Sequence, residues 1–358
     1  MWYFYKLLRA YFSETEAFNS TLILTLSLWF GFSRKTMPDI FSMSLRLIAL
    51  YHILWYLKNG RLWHLLLYGL LATTAVLAKL PAIYALSVLA VPLFSRSIEN
   101  VKKVWVVLSS LVVILTAYWW YFVWGSYLLQ TFEYQLYFPQ NLKEGLKAFL
   151  PFWKLALEQF YFSAFQSFVA FGAFIIGLGF IIYHKQQRPL LILSCMLPVF
   201  LIFIIKTGDV FAHHSYYIIP FVPVMALIAG IGLSKIPKKL YPIVLMMLSI
   251  EAIGNQQHDF FIHKSERFKL SLETEINTVI PKHEKIAMAG STGPQYLYFA
   301  HRKGWGLSAD QANDTLYMDK VRSMGYSYMV CVKREFNTLP KYPLLYQNEA
   351  IVIYAIGR

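Results

Sequence analysis

Apolar runs of bilayer-spanning length follow one another through the first 255 residues of the chain and then stop. A membrane helix needs about 20 apolar residues, or about 17 where flanking groups snorkel, because every backbone N–H and C=O must be satisfied within the segment. About nine such runs can be drawn, over residues 17–33, 39–57, 62–78, 81–95, 103–124, 160–183, 189–206, 215–233 and 240–255. The third and fourth are short, which places them inside the bundle. After Ile253 the chain turns to Asn255, Gln256, Gln257, His258 and Asp259, and no further spanning run appears. The pattern predicts a polytopic helical membrane domain over residues 1–256 and a small water-soluble domain over residues 257–358.

In the tail, residues 285–289 and 326–333 read as strands, with helix-period apolar positions over 309–324 ending at Gly325. Residues 343–346 and 350–356 are two further strand candidates. Alternating strand and helix predicts an α/β domain. The stretch 125–159 is too polar to span, yet it carries Tyr127, Phe132, Tyr134, Tyr137, Phe138, Phe152 and Trp153, as interfacial segments do. Pro139 and Gly145 break it. Leu142, Leu146, Phe149 and Leu150 form one apolar face of a short helix, either lying on the outer leaflet or serving as a connector with interfacial anchors.

Basic flanks orient the bundle. Lys6 and Arg9, Lys58 and Arg61, Arg96 with Lys102 and Lys103, Lys185 and Arg188, and Lys235 with Lys238 and Lys239 all fall on one side, which the positive-inside rule makes the cytoplasm. The other side receives residues 34–39, 79–81, 125–159, 206–214 and the C-terminal domain. Composition agrees: 57% of residues are hydrophobic and only 15% charged, with a mean hydropathy of +0.46. The net charge of +14 is carried largely by those cytoplasmic loops, so it marks a membrane surface and not a nucleic-acid partner. Two cysteines, Cys195 in an apolar run and Cys331 in the tail, give no disulfide or metal framework. Residues 1–12 lack the apolar core and small-residue cleavage site of a signal peptide.

Charge near a bilayer core is costly, so each ionisable group at a helix end is either snorkelling or functional. Four clusters qualify. In Ser33-Arg34-Lys35-Thr36-Met37-Pro38-Asp39, Pro38 and Asp39 open a helix; Asp39 is a first-turn carboxylate favoured by the helix dipole, or an acid placed to hold a metal, a sugar hydroxyl or an acceptor. In Leu77-Ala78-Lys79-Leu80-Pro81-Ala82, proline disfavours helical geometry at Leu80, so the chain turns there and Lys79 faces the outer interface. A compact ammonium suits a lipid phosphate there; the plain alternative is a snorkelling lysine. The third cluster is Lys206-Thr207-Gly208-Asp209 with His213 and His214. The fourth is Tyr216-Tyr217-Ile218-Ile219-Pro220-Phe221-Val222-Pro223, a binding segment or an aromatic belt. Adjacent histidines do not share a helix face, so they do not make a metal pair. All four clusters land on the extracytoplasmic side.

Their order along the chain, residues 34–39, then Ala75-Val76-Leu77-Ala78-Lys79-Leu80-Pro81-Ala82, then His214-Ser215-Tyr216-Tyr217-Ile218-Ile219-Pro220, resembles the membrane core of GT-C fold glycosyltransferases. More narrowly it resembles the bacterial branch related to protein O-mannosyltransferases and aminoarabinose transferases. The tail segment Tyr298-Phe299-Ala300-His301-Arg302-Lys303-Gly304-Trp305 resembles the extracytoplasmic domain that often follows this core. The resemblance covers residues 1–256 well and the tail weakly.

The resemblance implies a multi-pass inner-membrane protein of a bacterial cell envelope that transfers a sugar from a polyprenyl-phosphate donor to a lipid, glycan or protein acceptor. It implies Asp39 as the catalytic-site acid; Lys79, with Arg34, Lys35 and Lys206, as donor-phosphate cations; and Asp209, His213, His214, Tyr216 and Tyr217 as substrate contacts. No cofactor is called for, with a divalent metal left open. Relatives of this kind carry a catalytic acid in an outer loop after their first helix, and this chain shows no counterpart. On the resemblance it reads as a member lacking an N-terminal part of on the order of 100 residues, or as an inactive relative; the chemistry needs a carboxylate to accept the acceptor's proton. Two other classes stand beside this one. A transporter or lipid flippase would use a mid-membrane charge, for which Arg46 is the candidate, though no internal repeat is visible. A non-catalytic partner would bind lipid-linked sugar without turning it over.

Overall fold

The computed structural model describes residues 1–357 except 133, 135 and 137–139. Tyr137, Phe138 and Pro139 of the aromatic stretch, and the terminal Arg358, lie outside the described residues. Two compact units divide the chain, Met1–Asp259 and Phe260–Arg358.

The first unit is helical. It contains α1 (Trp2–Arg9), α2 (Glu14–Leu26), α3 (Leu28–Ser33), α4 (Pro38–Asn59), α5 (Leu62–Ala78), a 3₁₀ run over Leu80–Leu89, α6 (Ala90–Leu93) and α7 (Asn100–Tyr118). A π turn over Trp119–Trp124 joins α7 to α8 (Gly125–Phe132); then come α9 (Leu142–Phe149), α10 (Trp153–Glu158), α11 (Phe168–Tyr183), α12 (Gln187–Thr207), α13 (Asp209–His213), α14 (Val222–Ser234) and α15 (Tyr241–Asn255).

The structure does not reproduce nine separate spans. Among the described residues three helices are long and apolar enough to cross a membrane, Pro38–Asn59, Asn100–Phe132 and Gln187–Thr207, with a fourth if the pair Leu142–Ser163 and Phe168–Tyr183, bent by 94°, is one span. Of the other apolar runs, 62–78 and 240–255 form unbroken but shorter helices, and the rest are interrupted. Ser27 breaks the first: its hydroxyl donates to the Leu24 carbonyl at 2.7 Å and accepts from the Trp29 N–H at 3.2 Å, ending one helix and capping the next. The Gln256 side chain bridges this break, donating to the Leu26 carbonyl at 2.8 Å and accepting from the Gly31 N–H at 3.2 Å. Backbone groups released in an apolar medium are thus satisfied by side chains. The run over 215–233 is likewise broken, into a 3₁₀ turn at Ser215–Ile218 and α14. Residues 125–132, expected in the polar connector, instead extend the helix of α7.

Helix α14 is the axis of this unit, with residues 222–233 all buried. Small residues allow its neighbours to touch its backbone. A Cβ at Gly232 would lie 2.0 Å from the Ala173 carbonyl oxygen of α11, one at Gly177 would lie 1.9 Å from that of Ile228, and one at Gly230 would lie 2.1 Å from the Ser20 hydroxyl of α2. Close backbone approach is how membrane helices gain packing contact when the hydrophobic effect does not separate helix from lipid. Gly232→Ala is expected to force α11 and α14 apart at a cost of about 1–3 kcal/mol, lowering the thermal unfolding midpoint in detergent; an unchanged midpoint contradicts this packing.

In the second unit, strands β1 (Ile286–Ala289), β2 (Gly304–Leu307), β3 (Tyr328–Val332), β4 (Leu344–Gln347) and β5 (Ile351–Ala355) form one sheet in the order β2-β1-β3-β5-β4. β1 is parallel to β2 and β3, and β5 is antiparallel to β3 and β4. Helices α16 (Leu272–Asn277), α17 (Gln295–Phe299), α18 (Ala309–Asn313) and α19 (Thr315–Ser323) complete it. Alternate residues serve opposite faces: Met329 and Cys331 join Met318, Val321 and Val352, whereas Val330 and Val332 join Leu272, Ile276 and Ile353. Burial pushes the Cys331 thiol up to about 12, which makes it an inert core residue. The helix expected over 309–324 is divided at Asp314, whose carboxylate accepts the N–H groups of Leu316 and Tyr317 and so caps α19.

A charged network closes the other face. Arg334 pairs with Glu266 at 2.5 Å and Lys269 also pairs with Glu266, so the Glu266 carboxyl is held below its usual range chiefly by these two hydrogen bonds. A depressed carboxylate stabilises the fold fully above its ordinary value near 4.5 and loses that contribution as pH falls through the folded value. Glu266→Gln is therefore expected to blunt the acid limb of stability, read as the rate at which Cys331 is labelled by dithiodipyridine in a Cys195→Ser background. An acid limb identical to that of the unsubstituted chain contradicts the assignment.

Candidate functional site

The site is built where α5 stops. Lys79 caps α5 in extended conformation, φ −157° and ψ 119°, and the chain re-enters helical geometry as the 3₁₀ run from Leu80, which has Pro81 in its first turn. Two hydroxyls hold the last-turn carbonyls of α5. Ser42 of α4 donates to the Ala75 carbonyl at 2.8 Å and lies 3.4 Å from that of Lys79; the Tyr121 hydroxyl donates to Val76 at 2.9 Å, with Leu77 at 3.3 Å. The turn that presents Lys79 is therefore clamped from both sides.

The Lys79 ammonium meets Asp39 at 3.4 Å; the carboxylate is nearly enclosed, with 6% of its side chain exposed against 27% for the lysine. Above the ammonium sit the rings of Tyr216 and Tyr217, with centroids 5.4 and 5.8 Å away, within cation–π reach. Those rings contact each other at 4.7 Å, and the exposed His214 ring lies 5.4 Å from Tyr216 and 6.3 Å from Tyr217. Asp39, Lys79, Tyr216, Tyr217 and His214, separated widely in sequence, thus form one cluster.

Beside it opens a cavity of about 380 Å³ lined by Pro38, residues 77–81, Tyr84, Trp120, Tyr121, Leu136, Phe203, Lys206, Thr207 and Tyr217. Lys206 has no ion-pair partner among the described residues. Two ammonium groups therefore share one largely apolar hollow.

Arg34, Lys35, Asp209 and His213 do not line this cavity. Arg34 is exposed, and Lys35 pairs with Asp259 at 3.0 Å while covering the Phe32 ring. His213 packs edge-on against Phe152 at 4.7 Å, its Nδ1 2.9 Å from the Asp209 carbonyl oxygen. The Asp209 carboxylate makes no hydrogen bond or ion pair among the described residues. Among those residues no three His, Cys, Asp or Glu side chains converge as a metal site requires.

Arg46 is the second polar feature of α4, two turns below Asp39. It is buried and donates through Nη2 to the Pro220 carbonyl at 2.9 Å, with Nε and Nη1 unpartnered. It borders a void of about 10 Å³, room for roughly one water and not for a transport path. One face of α4 therefore carries Asp39, Ser42 and Arg46 at positions i, i+3 and i+7, each gripping a different part of the site: the Lys79 ammonium, the Lys79 turn and the Pro220 turn below the tyrosines.

Residues 1–122 match the family model described as dolichyl-phosphate-mannose-protein mannosyltransferase. Over that stretch the chain is similar to GT-C-type membrane glycosyltransferases. The family resemblance read from residues 34–39 and 75–82 is borne out, and Asp39, Ser42, Arg46, Lys79 and Tyr121 all fall within the matched stretch. Lys206, Asp209, His213, His214, Tyr216 and Tyr217 lie beyond it. Among curated proteins no match to the chain was found. Ser42, Tyr121 and Trp120 escaped the sequence reading; Ser42 could have been found as the next residue on the Asp39 face of its helix.

Proposed function

We propose that this chain transfers a sugar from a polyprenyl-phosphate donor to an acceptor at the extracytoplasmic face of a bacterial inner membrane, with the donor phosphate in the Lys79–Lys206 cavity. The observation that carries this reading is the Lys79–Asp39 pair beside a cavity that holds a second, unpaired ammonium. Lys79 and Asp39 cancel in charge, while Lys206 and the buried Arg46 have no carboxylate partner among the described residues. The surplus is positive, and an anion is the complementary occupant. As the acceptor's oxygen or nitrogen attacks the anomeric carbon, the bond from that carbon to the phosphate oxygen breaks and polyprenyl phosphate leaves with the electron pair. Lys79 and Lys206 stabilise the charge that develops on it. Asp39, the carboxylate in contact with Lys79, orients the ammonium and takes up the acceptor's proton. Tyr216, Tyr217 and His214 wall the side from which an acceptor enters.

The test is consumption of radiolabelled polyprenyl-phosphate sugar by the purified chain in proteoliposomes, read as released polyprenyl phosphate. Release that depends on Lys79 supports the reading. Donor that crosses the bilayer intact would make the chain a flippase, and donor that binds without turnover would make it a non-catalytic lipid-sugar-binding protein.

The same reading puts the C-terminal unit outside, because Lys235, Lys238 and Lys239 precede α15 and hold its start in the cytoplasm. An alkaline phosphatase fused to the C-terminus is expected to be active and a green fluorescent protein fused there to be dark. The reverse pattern would invert the sidedness of the site.

A further inference from the structure

At the end of the membrane unit away from Lys79, two hollows adjoin along α1 and α2, sharing Tyr5 and Phe18. The first, about 600 Å³, is the more polar of the two, with Ser13, Glu14, Thr15, Ser234, Lys235, Lys238 and Tyr241 in a wall that also carries Ile236. The second, about 400 Å³, is walled by Met1, Trp2, Thr21, Leu22 and Thr25. The hydroxyls of its two threonines are engaged by the helix backbone: Thr21 Oγ1 donates to the Ala17 carbonyl and Thr25 Oγ1 to that of Thr21, both at 2.8 Å. Trp2 and Phe18 are 62% and 52% exposed on the same flank. The polar half lies beside Ser234 and Lys235, at the far end of α14 from Pro220; 13 helical residues put about 20 Å between the two ends. This groove is therefore separate from the proposed donor cavity.

We propose that this groove holds an anionic glycerophospholipid, its phosphate at Lys238 and one acyl chain along Phe18, Leu22 and Thr25. The continuity of a polar and an apolar hollow matches an amphiphile whose headgroup and first methylenes are gripped together. Charge selects the headgroup. Lys235 is paired with Glu16 at 3.2 Å and Glu14 with Arg9 at 3.5 Å, so those charges are met within the protein. Lys238 has no partner among the described residues, and Lys239 beside it adds to the surplus. A phosphodiester with an uncharged or acidic headgroup neutralises this end, whereas a quaternary ammonium would be driven from it. The hydroxyls of Ser13, Thr15 and Ser234 supply donors for phosphate and glycerol oxygens.

Native mass spectrometry of the full chain released from detergent, with phosphatidylglycerol or phosphatidylcholine of matched acyl chains, tests this. Wild type is expected to retain one phosphatidylglycerol in preference to phosphatidylcholine. Lys238→Glu should weaken that binding about 5- to 25-fold, since one basic residue near a lipid surface contributes about 1 kcal/mol and reversal about doubles it. Lys103→Glu, an equal charge change elsewhere, should leave binding unchanged, and a preserved unfolding midpoint in both variants shows that neither fold is disturbed. Equal retention of both lipids, equal loss in both variants, or displacement of phosphatidylglycerol by polyprenyl phosphate would each overturn the proposal, the last by making the groove a second donor site.

Discussion

Lys79→Ala is expected to lower sugar transfer per folded molecule by about 10- to 1000-fold, the range found when a group stabilising transition-state charge is removed. The physical reason is the geometry at the α5 break. The ammonium is one of two that share the cavity, and the clamps from Ser42 and Tyr121 fix the backbone from which it projects. Lys79→Arg should recover only part of the rate, because a planar guanidinium on a differently shaped stem cannot keep both the Asp39 contact and the point-charge approach to phosphate. Ser42→Ala should act more weakly and should be rescued by Ser42→Thr, since it removes one hydroxyl holding the turn and no charge. If Lys79 only snorkels, all four variants turn over donor at the unsubstituted rate and differ at most in membrane insertion.

The second large effect concerns Arg302. Its guanidinium is buried under α16, donating to the Asn277 side chain at 2.6 Å, to the Ile280 carbonyl at 2.7 Å and to the Pro281 carbonyl. It thus ties the end of α16 to the turn before β2. Arg302→Ala leaves these acceptors buried without donors, for an expected loss of about 2–4 kcal/mol in the C-terminal unit. Cys331, buried in β3, reports it: thiol labelling through opening of that unit should accelerate about 30- to 1000-fold, each 1.4 kcal/mol being a factor of ten. Labelling at the unsubstituted rate would show that Arg302 contributes no net stability. On this account the tail segment 298–305 that resembles an extracytoplasmic domain carries its arginine for folding.

Much of the architecture was legible because the bilayer imposes a length rule. Long apolar runs identified the membrane unit, and Pro81 marked the Lys79 turn, since proline acts locally. The break at Ser27 was not legible: a serine inside an apolar run fits an unbroken span equally well, and it ends a helix here only because Gln256, over two hundred positions away, satisfies the freed backbone. The same holds for the site. Charge at helix ends flagged Asp39, Lys79, Lys206 and the tyrosines, but which of them share a cavity is decided by packing, and it separated Lys35 and His213 from the rest. Strand β2, Gly304–Leu307, was hidden because two of its four residues are glycine; a Cβ at Gly304 would meet the Ile286 carbonyl oxygen at 2.2 Å, so glycine is needed there for strand pairing.

The central claim, that the hollow beside Lys79 receives a lipid-linked phosphate, is tested most directly by equilibrium binding of polyprenyl phosphate to the purified chain in nanodiscs. A hydrogen bond to a charged group contributes about 1.5–3 kcal/mol. Lys79→Gln and Lys206→Gln are therefore each expected to weaken binding by about 10- to 100-fold, whereas Asp39→Asn, which releases Lys79 from its carboxylate, should tighten it. Unsubstituted affinity in both lysine variants, with Asp39→Asn also without effect, would contradict the account.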